Sequence, residues 1–267
     1  MLQQPTILIF DSGVGGLSVY QEVKKKLPNS NYIYVFDNQG YPYGELDHDV
    51  LISRVINLIR SVVQRHKIDI IVIACNTAST IVLPSLRQLF SIPIVGVVPA
   101  IKPASMIAQK SIGLIATPAT ISRKYTHQLI DKFSPNTQVL LLGTTELVHI
   151  AEAKLRGEFI SVDLIRRILT PLIHKIDVAV LGCTHFPLLK TEISQVFGEN
   201  VQLVDSGKAI ATRVYSLLEN KDDKERENTM VRGLAYSSAT PCNEVALNKA
   251  FQVLNFTTIK TIQLQDV

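Results

Sequence analysis

Apolar residues fall into two spacings along this chain. Short runs, unbroken except by Gly96, Gly113 and Gln202, occur at Ile7 to Phe10, Tyr32 to Phe36, Ile70 to Ala74, Val95 to Val98, Ile112 to Ala116, Val139 to Leu142, Val178 to Leu181 and Val201 to Val204. Runs of this length read as strands buried on both faces of a parallel sheet. Between them apolar residues recur every three or four positions, as at Val19, Val23 and Leu27, and at Leu51, Val55, Leu58, Ile59 and Val62. That period predicts amphipathic helices. Helices are expected after the first strand up to Pro28, over Asp49 to Arg65, Thr80 to Phe90, Glu146 to Gly157, Asp163 to His174, up to Phe197, and from Gly207 to Leu218. Thr77 and Ser79 are the expected caps of the Thr80 helix, and Pro84 should kink or delimit its first turn. Strands alternating with helices predict an α/β fold with mainly parallel central sheets.

One stretch occurs twice. His66 to Thr77 reads HKIDIIVIACNT and His174 to His185 reads HKIDVAVLGCTH, with Cys75 and Cys183 at the same place and 108 residues apart. Pro28-Asn29 and Pro135-Asn136 repeat at nearly the same interval. A fixed period of this kind indicates duplication. The chain then divides into two pseudo-twofold-related α/β domains, residues 98–207 forming the second. After it the chain continues through a charged stretch (ENKDDKEREN, residues 219–228), a strand from Met230 to Tyr236, a helix from Asn243 to Leu254 and an apolar run from Thr257 to Leu264. This tail is expected to complete the first domain, as residues 1–97 plus 208–267. Ligands of α/β sheets bind beyond the carboxyl ends of the strands. The expected site is a cleft between the domains, with one cysteine delivered to it by each.

Composition narrows the class. The 267 residues are 46% hydrophobic and 19% charged, with a net charge of +4. This suits a folded globular protein. The basic residues are dispersed, and Lys24-Lys25-Lys26 reads as a solvated helix face, so no nucleic-acid partner is expected. Three cysteines without framework spacing point to free thiols and a reducing compartment. The first apolar run stops at Asp11, and no run is long enough to span a bilayer. No membrane partner and a cytoplasmic location are expected.

Two opposed cysteines admit several chemistries. A metal site would use Cys75, Cys183 and His185 but lacks a fourth ligand and a CxxC pair. Disulfide exchange usually pairs cysteines close in sequence. Proton transfer remains, since a thiolate stabilised at a helix N-terminus is a competent base. One base on each face of a tetrahedral carbon inverts it, which is what a cofactor-free racemase needs. Two buried structural cysteines would read the same from position alone, and a small-molecule-binding protein with two α/β lobes is the non-catalytic alternative. The turn Asp11-Ser12-Gly13-Val14-Gly15-Gly16 after the first strand offers amides and a carboxylate. Asp11 would repel a phosphate there, so a zwitterion fits better. The loop Tyr41-Pro42-Tyr43-Gly44 offers further amides or serves as a rigid connector.

These motifs carry a resemblance. DSGVGGLS from Asp11, YPYG from Tyr41, ACNTAS from Ala74 and GCTHFP from Gly182 are similar, in order and over nearly the whole chain, to those of the bacterial glutamate racemases in the aspartate/glutamate racemase family. Ala151 to Leu155 and Val98 to Pro103 resemble the enterobacterial type. The resemblance implies interconversion of L- and D-glutamate for peptidoglycan precursors, with no cofactor and no metal. It implies Cys75 and Cys183 as the two bases, acting on the D- and L-enantiomers respectively. Asp11, Glu152 and His185 are implied as catalytic partners. Asp11, Ser12, Tyr43, Gly44, Asn76, Thr77, Thr120, Thr184 and His185 are implied as substrate contacts. Aspartate racemase is the sister activity. Enterobacterial relatives are activated by a peptidoglycan-precursor nucleotide and carry an N-terminal extension, whereas this chain opens almost directly on its first strand. A homodimer is left open.

Overall fold

The computed structural model describes residues 4–218 and 233–262. The charged stretch 219–228 and the ends of the expected strand from Met230 and of the last apolar run lie outside them. The chain forms two compact units, one of residues 1–97 with 207–267, the other of residues 98–206.

The first unit opens with β1 (Thr6–Asp11), α1 (Leu17–Lys26), β2 (Asn31–Phe36), α2 (His48–Val63), β3 (Ile70–Ile73), α3 (Asn76–Leu89) and β4 (Ile94–Gly96). The second holds α4 (Ile101–Ser105), β5 (Ser111–Ala116), α5 (Pro118–Ile121), α6 (Lys124–Phe133), β6 (Gln138–Gly143), α7 (Glu146–Leu155), α8 (Val162–Leu169), β7 (Val178–Leu181), α9 (Lys190–Phe197) and β8 (Gln202–Val204). The chain returns to the first unit as α10 (Gly207–Leu218), β9 (Leu234–Ser237), α11 (Glu244–Val253) and β10 (Lys260–Thr261).

Among the described residues every strand pair is parallel. The first sheet has the order β10-β9-β2-β1-β3-β4 and the second β6-β5-β7-β8. The last four strands of the first sheet repeat the order of the second, so the HKID repeat belongs to two copies of one topology. In each copy the opening strand lies between the two that follow it. That reversal creates a crevice at the carboxyl ends of the central strands. Asp11, Ser12 and Cys75 stand there in the first unit, and Thr117, at the place of Ser12, and Cys183, at the place of Cys75, in the second.

Continuous apolar runs form the strands because both faces are covered. Ile7 to Phe10 and Ile70 to Ile73 have no exposed surface. On one side Leu8, Phe10, Ile71 and Ile73 pack against Leu51, Val55, Leu58 and Val62 of α2 and Val82 and Leu86 of α3. Strand β6 differs, as an edge strand with only intermediate and exposed positions.

Several boundaries depart from the periodicity. The helix after Cys75 begins at Asn76, four residues before the expected Thr80, and carries Pro84 inside it. Helix α8 ends at Leu169, and a 3-10 turn over Thr170–Leu172 replaces its expected last turns. Pro171 cannot supply the amide that an α-helix would need there. The expected helix directly after Cys183 is instead a 3-10 turn, Phe186–Leu189, leading into α9.

Candidate active site

Cys75 follows β3 after a single residue and is itself the N-cap of α3. Its Sγ accepts a hydrogen bond from the Ala78 amide at 3.5 Å. Sulfur thus takes the place that a Ser or Asp oxygen usually fills. Unpaired amides and the helix dipole favour negative charge there, which suits a thiolate. Thr77 and Ser79, the expected caps, are instead buried within the first turn.

Ser12 Oγ lies 3.6 Å from Cys75 Sγ and donates to Asp11 Oδ1 at 3.2 Å. The Gly13 amide donates to the same carboxylate oxygen at 3.0 Å. Asp11, Ser12, Asn76 and Thr77 are all buried. Asn76 Oδ1 makes no hydrogen bond among the described residues. A buried amide oxygen without a donor costs about 1–3 kcal/mol, a cost that a ligand's N–H would remove.

The Tyr41 to Gly44 loop leads into a 3-10 turn over Tyr43–Glu45. Tyr43 is buried and belongs to the same apolar cluster as Cys75, while Gly44 is exposed. The Tyr43 hydroxyl donates to Asp37 Oδ2 at 2.8 Å. Asp37, at the end of β2, also accepts two hydrogen bonds from Arg54 of α2, each at 2.7 Å. Burial pushes the Asp37 pKa up. Hydrogen bonds from Arg54, Ser238 and Tyr43, with the guanidinium charge, outweigh that and hold it below the usual value. Asn38 and Gln39 are bound in turn to Ser238 and Ala239 of the returning chain. Sequence reasoning missed Asp37 and Arg54, whose pairing spans a loop and has no local signature.

In the second unit Cys183 Sγ lies 3.7 Å from His185 Nδ1, and His185 Nε2 lies 2.9 Å from Glu152 Oε1 on α7. Burial lowers the His185 pKa. Hydrogen bonds and negative charge from Cys183 and Glu152 overcome this and raise it well above the ordinary imidazole value. Cys183 therefore has beside it an imidazole whose protonated form is favoured, where Cys75 has a helix N-terminus. Thr184 and Thr120 are also buried. Thr120 Oγ1 lies 3.1 Å from Thr117 Oγ1 at the end of β5. Thr144 Oγ1, at the end of β6, is buried and makes no hydrogen bond among the described residues.

Gly182 is required by a close approach. A Cβ there would meet Ile115 O at 3.0 Å and Leu114 Cδ1 at 2.9 Å, while the Gly182 amide donates to Ile115 O at 2.7 Å. Gly182→Ala should therefore push β7 away from β5 just before Cys183. The expected cost is about 1–3 kcal/mol, as for overpacking elsewhere, read as a lowered denaturation midpoint.

Among the described residues no cluster of three or more His, Cys, Asp or Glu side chains could hold a metal ion. No described helix is long and apolar enough to cross a membrane.

Two α/β units of one topology each hold a buried thiol at a strand end, Cys75 beside Ser12 and Asp11 and Cys183 beside His185 and Glu152. Comparison with known proteins identifies the family. The profile of the Asp/Glu/Hydantoin racemase family matches residues 7–214, and the chain belongs to that family. It is 58% identical over 254 residues to a glutamate racemase of Vibrio parahaemolyticus, covering 95% of this chain and 93% of the relative. It is 57% identical over 256 residues to one from Vibrio cholerae, covering 96% of each. The solved structure of Escherichia coli glutamate racemase, in complex with L-glutamate and the activator UDP-MurNAc-Ala, superimposes with a TM-score of 0.92. The two share 44% identity, with 98% of this chain and 100% of that one covered. The chain is thus an isomerase of the glutamate racemase type, which sets aside the non-catalytic binding protein.

Proposed function

We propose that this enzyme interconverts L- and D-glutamate by a two-base mechanism, with Cys75 and Cys183 on opposite faces of Cα, and so supplies D-glutamate for peptidoglycan. The observation that carries the reading is a buried thiol at a strand end in each unit, each with its own charge-stabilising neighbour. One cysteine, as thiolate, takes the Cα proton. The electron pair left on Cα delocalises into the adjacent carboxylate. The other cysteine, as thiol, returns a proton to the opposite face and becomes a thiolate. The two thiols thus exchange protonation states in each turnover.

The neighbours suit these roles. The α3 amides favour a thiolate at Cys75, and Ser12 links that sulfur to Asp11, which is placed to handle a proton. His185, held by Glu152, stands beside Cys183 to exchange a proton with it. Asn76 Oδ1 is an acceptor in need of a donor, which the substrate ammonium would supply. Ser12, Tyr43, Gly44, Thr77, Thr120 and Thr184 complete the proposed substrate contacts through hydroxyl groups and backbone amides. By similarity to the E. coli enzyme, we also propose activation by UDP-MurNAc-Ala.

The test is racemisation of L-glutamate by dialysed protein with no added pyridoxal phosphate or metal, in deuterium oxide, with and without UDP-MurNAc-Ala. Optical rotation should decay and one deuterium should appear at Cα. Turnover only with an added cofactor would overturn the mechanism. Equal turnover of aspartate would overturn the substrate assignment, since one methylene is worth only about 1–3 kcal/mol of discrimination in a simple pocket. An unchanged rate on adding the nucleotide would overturn the activator proposal.

A further inference from the structure

Arg156 closes α7 as its C-cap residue, one turn beyond Glu152. Its Nη1 donates to Glu152 Oε2 at 2.6 Å and to the Glu152 carbonyl at 2.7 Å. The pair is well shielded, with side-chain exposures of 16% and 12%. An exposed pair at this spacing would contribute little, but a desolvated charge-assisted one is short and geometrically fixed. Glu152 uses its other oxygen, Oε1, for His185 Nε2 at 2.9 Å, and His185 Nδ1 faces Cys183 Sγ at 3.7 Å. The series runs unbroken from guanidinium to carboxylate to imidazole to thiol, all within one unit.

The last torsion of a glutamate side chain is soft and roughly two-fold. Left to itself, the Glu152 carboxylate would swing between orientations and present its oxygens to His185 intermittently. Arg156 holds one oxygen and thereby aims the other. Lys154, on the same helix, turns elsewhere, with its Nζ donating to Leu188 O at 2.9 Å and to Glu192. Lys154 fastens α7 to the segment that follows His185, while Arg156 orients the side chain that touches it.

We propose that Arg156 is a positioning residue for the Cys183 half of the reaction, fixing Glu152 so that His185 presents Nδ1 to the thiol. The inference rests on the two-cysteine reading given above. Its mark is one-sidedness, because Cys75 is flanked instead by Ser12 and the Ala78 amide.

The experiment uses both enantiomers of a glutamate analogue bearing a β-leaving group. Loss of HX from such an analogue needs a single abstraction. The Cα proton passes to one thiolate, the new double bond forms to Cβ, and the leaving group departs with its electron pair. With Cys183 serving the L-enantiomer, Arg156→Met should slow elimination from the L-analogue about tenfold, the factor carried by one unit of pKa. Elimination from the D-analogue should stay at the parent rate. Arg156→Lys keeps the charge but not the planar fork, and should recover part of the loss. Equal slowing of both enantiomers by a folded Arg156→Met would show general loosening and overturn the proposal, as would no change in either. Should Arg156→Met fail to fold, Arg156→Lys carries the test, with the same one-sidedness at smaller size. Cys183→Ser is the control. If it too treats both enantiomers alike, the two-cysteine reading fails; if it is selective and the Arg156 variants are not, only the Arg156 proposal fails.

Discussion

Replacing either Cys75 or Cys183 by serine should reduce racemisation by about three orders of magnitude or more, the scale expected when one member of a concerted catalytic pair is removed. A hydroxyl at the same position is too weak an acid to exist as an alkoxide at neutral pH. Neither the α3 amides at Cys75 nor the His185 imidazolium at Cys183 can make up that difference. The remaining thiolate still reaches the proton on its own face. Each variant should therefore eliminate from one enantiomer of a β-leaving-group analogue, Cys75→Ser favouring L and Cys183→Ser favouring D. Cys242 is exposed, and Cys242→Ser should match the parent. Comparable racemisation by either single variant, or loss of activity in a folded Cys242→Ser, would falsify the two-base assignment.

The largest effect on stability is expected at Arg54. Arg54→Met removes the cation from Asp37, whose side chain has no exposed surface. A buried charge that loses its partner typically costs about 3–5 kcal/mol. Denaturant unfolding of Arg54→Met should show a loss of this order at neutral pH. The pH dependence follows from the direction of the shift. Asp37 has a folded pKa below its unfolded value, so its contribution is present above about 4 and is lost as pH falls through the folded pKa. In Arg54→Met burial acts without the guanidinium, and protonation of Asp37 becomes favourable. The gap between parent and variant should then narrow in acid. A gap that stays constant with pH would show that the loss is one of packing. Tyr43 and the Asn38 turn share Asp37 or its neighbours, so the same change should also disturb the loop that carries Gly44.

Strands β1, β3, β5 and β7 were legible as apolar runs because both of their faces are covered and nothing polar interrupts them. The parallel α/β class followed directly. Helix α6 was less legible, since Thr126 is its only fully buried residue and its apolar side Leu129, Ile130 and Phe133 is only partly covered. The start of α3 was misplaced because a Thr and Ser cluster resembles a cap, whereas the actual capping atom is the sulfur of Cys75. Sulfur is absent from the usual cap ranking, so propensity could not find it. Cys183 resembles Cys75 in sequence but opens on a 3-10 turn, with Pro187 in its first positions. Nothing in the repeat itself distinguishes the two. Glu152 came only from family resemblance, and Arg156, its i,i+4 partner on α7, was passed over because such pairs are common on exposed helix faces. The Asp37–Arg54 pair depends on where β2 ends relative to α2, which no local pattern records.

The return of the chain to its first sheet has a consequence for how the protein is made. Strand β2 pairs with β1 on one side and with β9 on the other, and β9 is more than two hundred residues further along. On the ribosome, the early strands emerge long before the segment that flanks them. Until then β2 presents an open edge, and Tyr34 and Phe36 lack Phe251 and Phe256, the rings against which they finally pack. The later unit is continuous in sequence and has its full strand set by Ser206. Translation order and folding order are therefore opposed, the half begun first being the half completed last. A nascent chain paused before β9 carries an unpaired edge and uncovered aromatic rings, features that recruit chaperones or lead to aggregation.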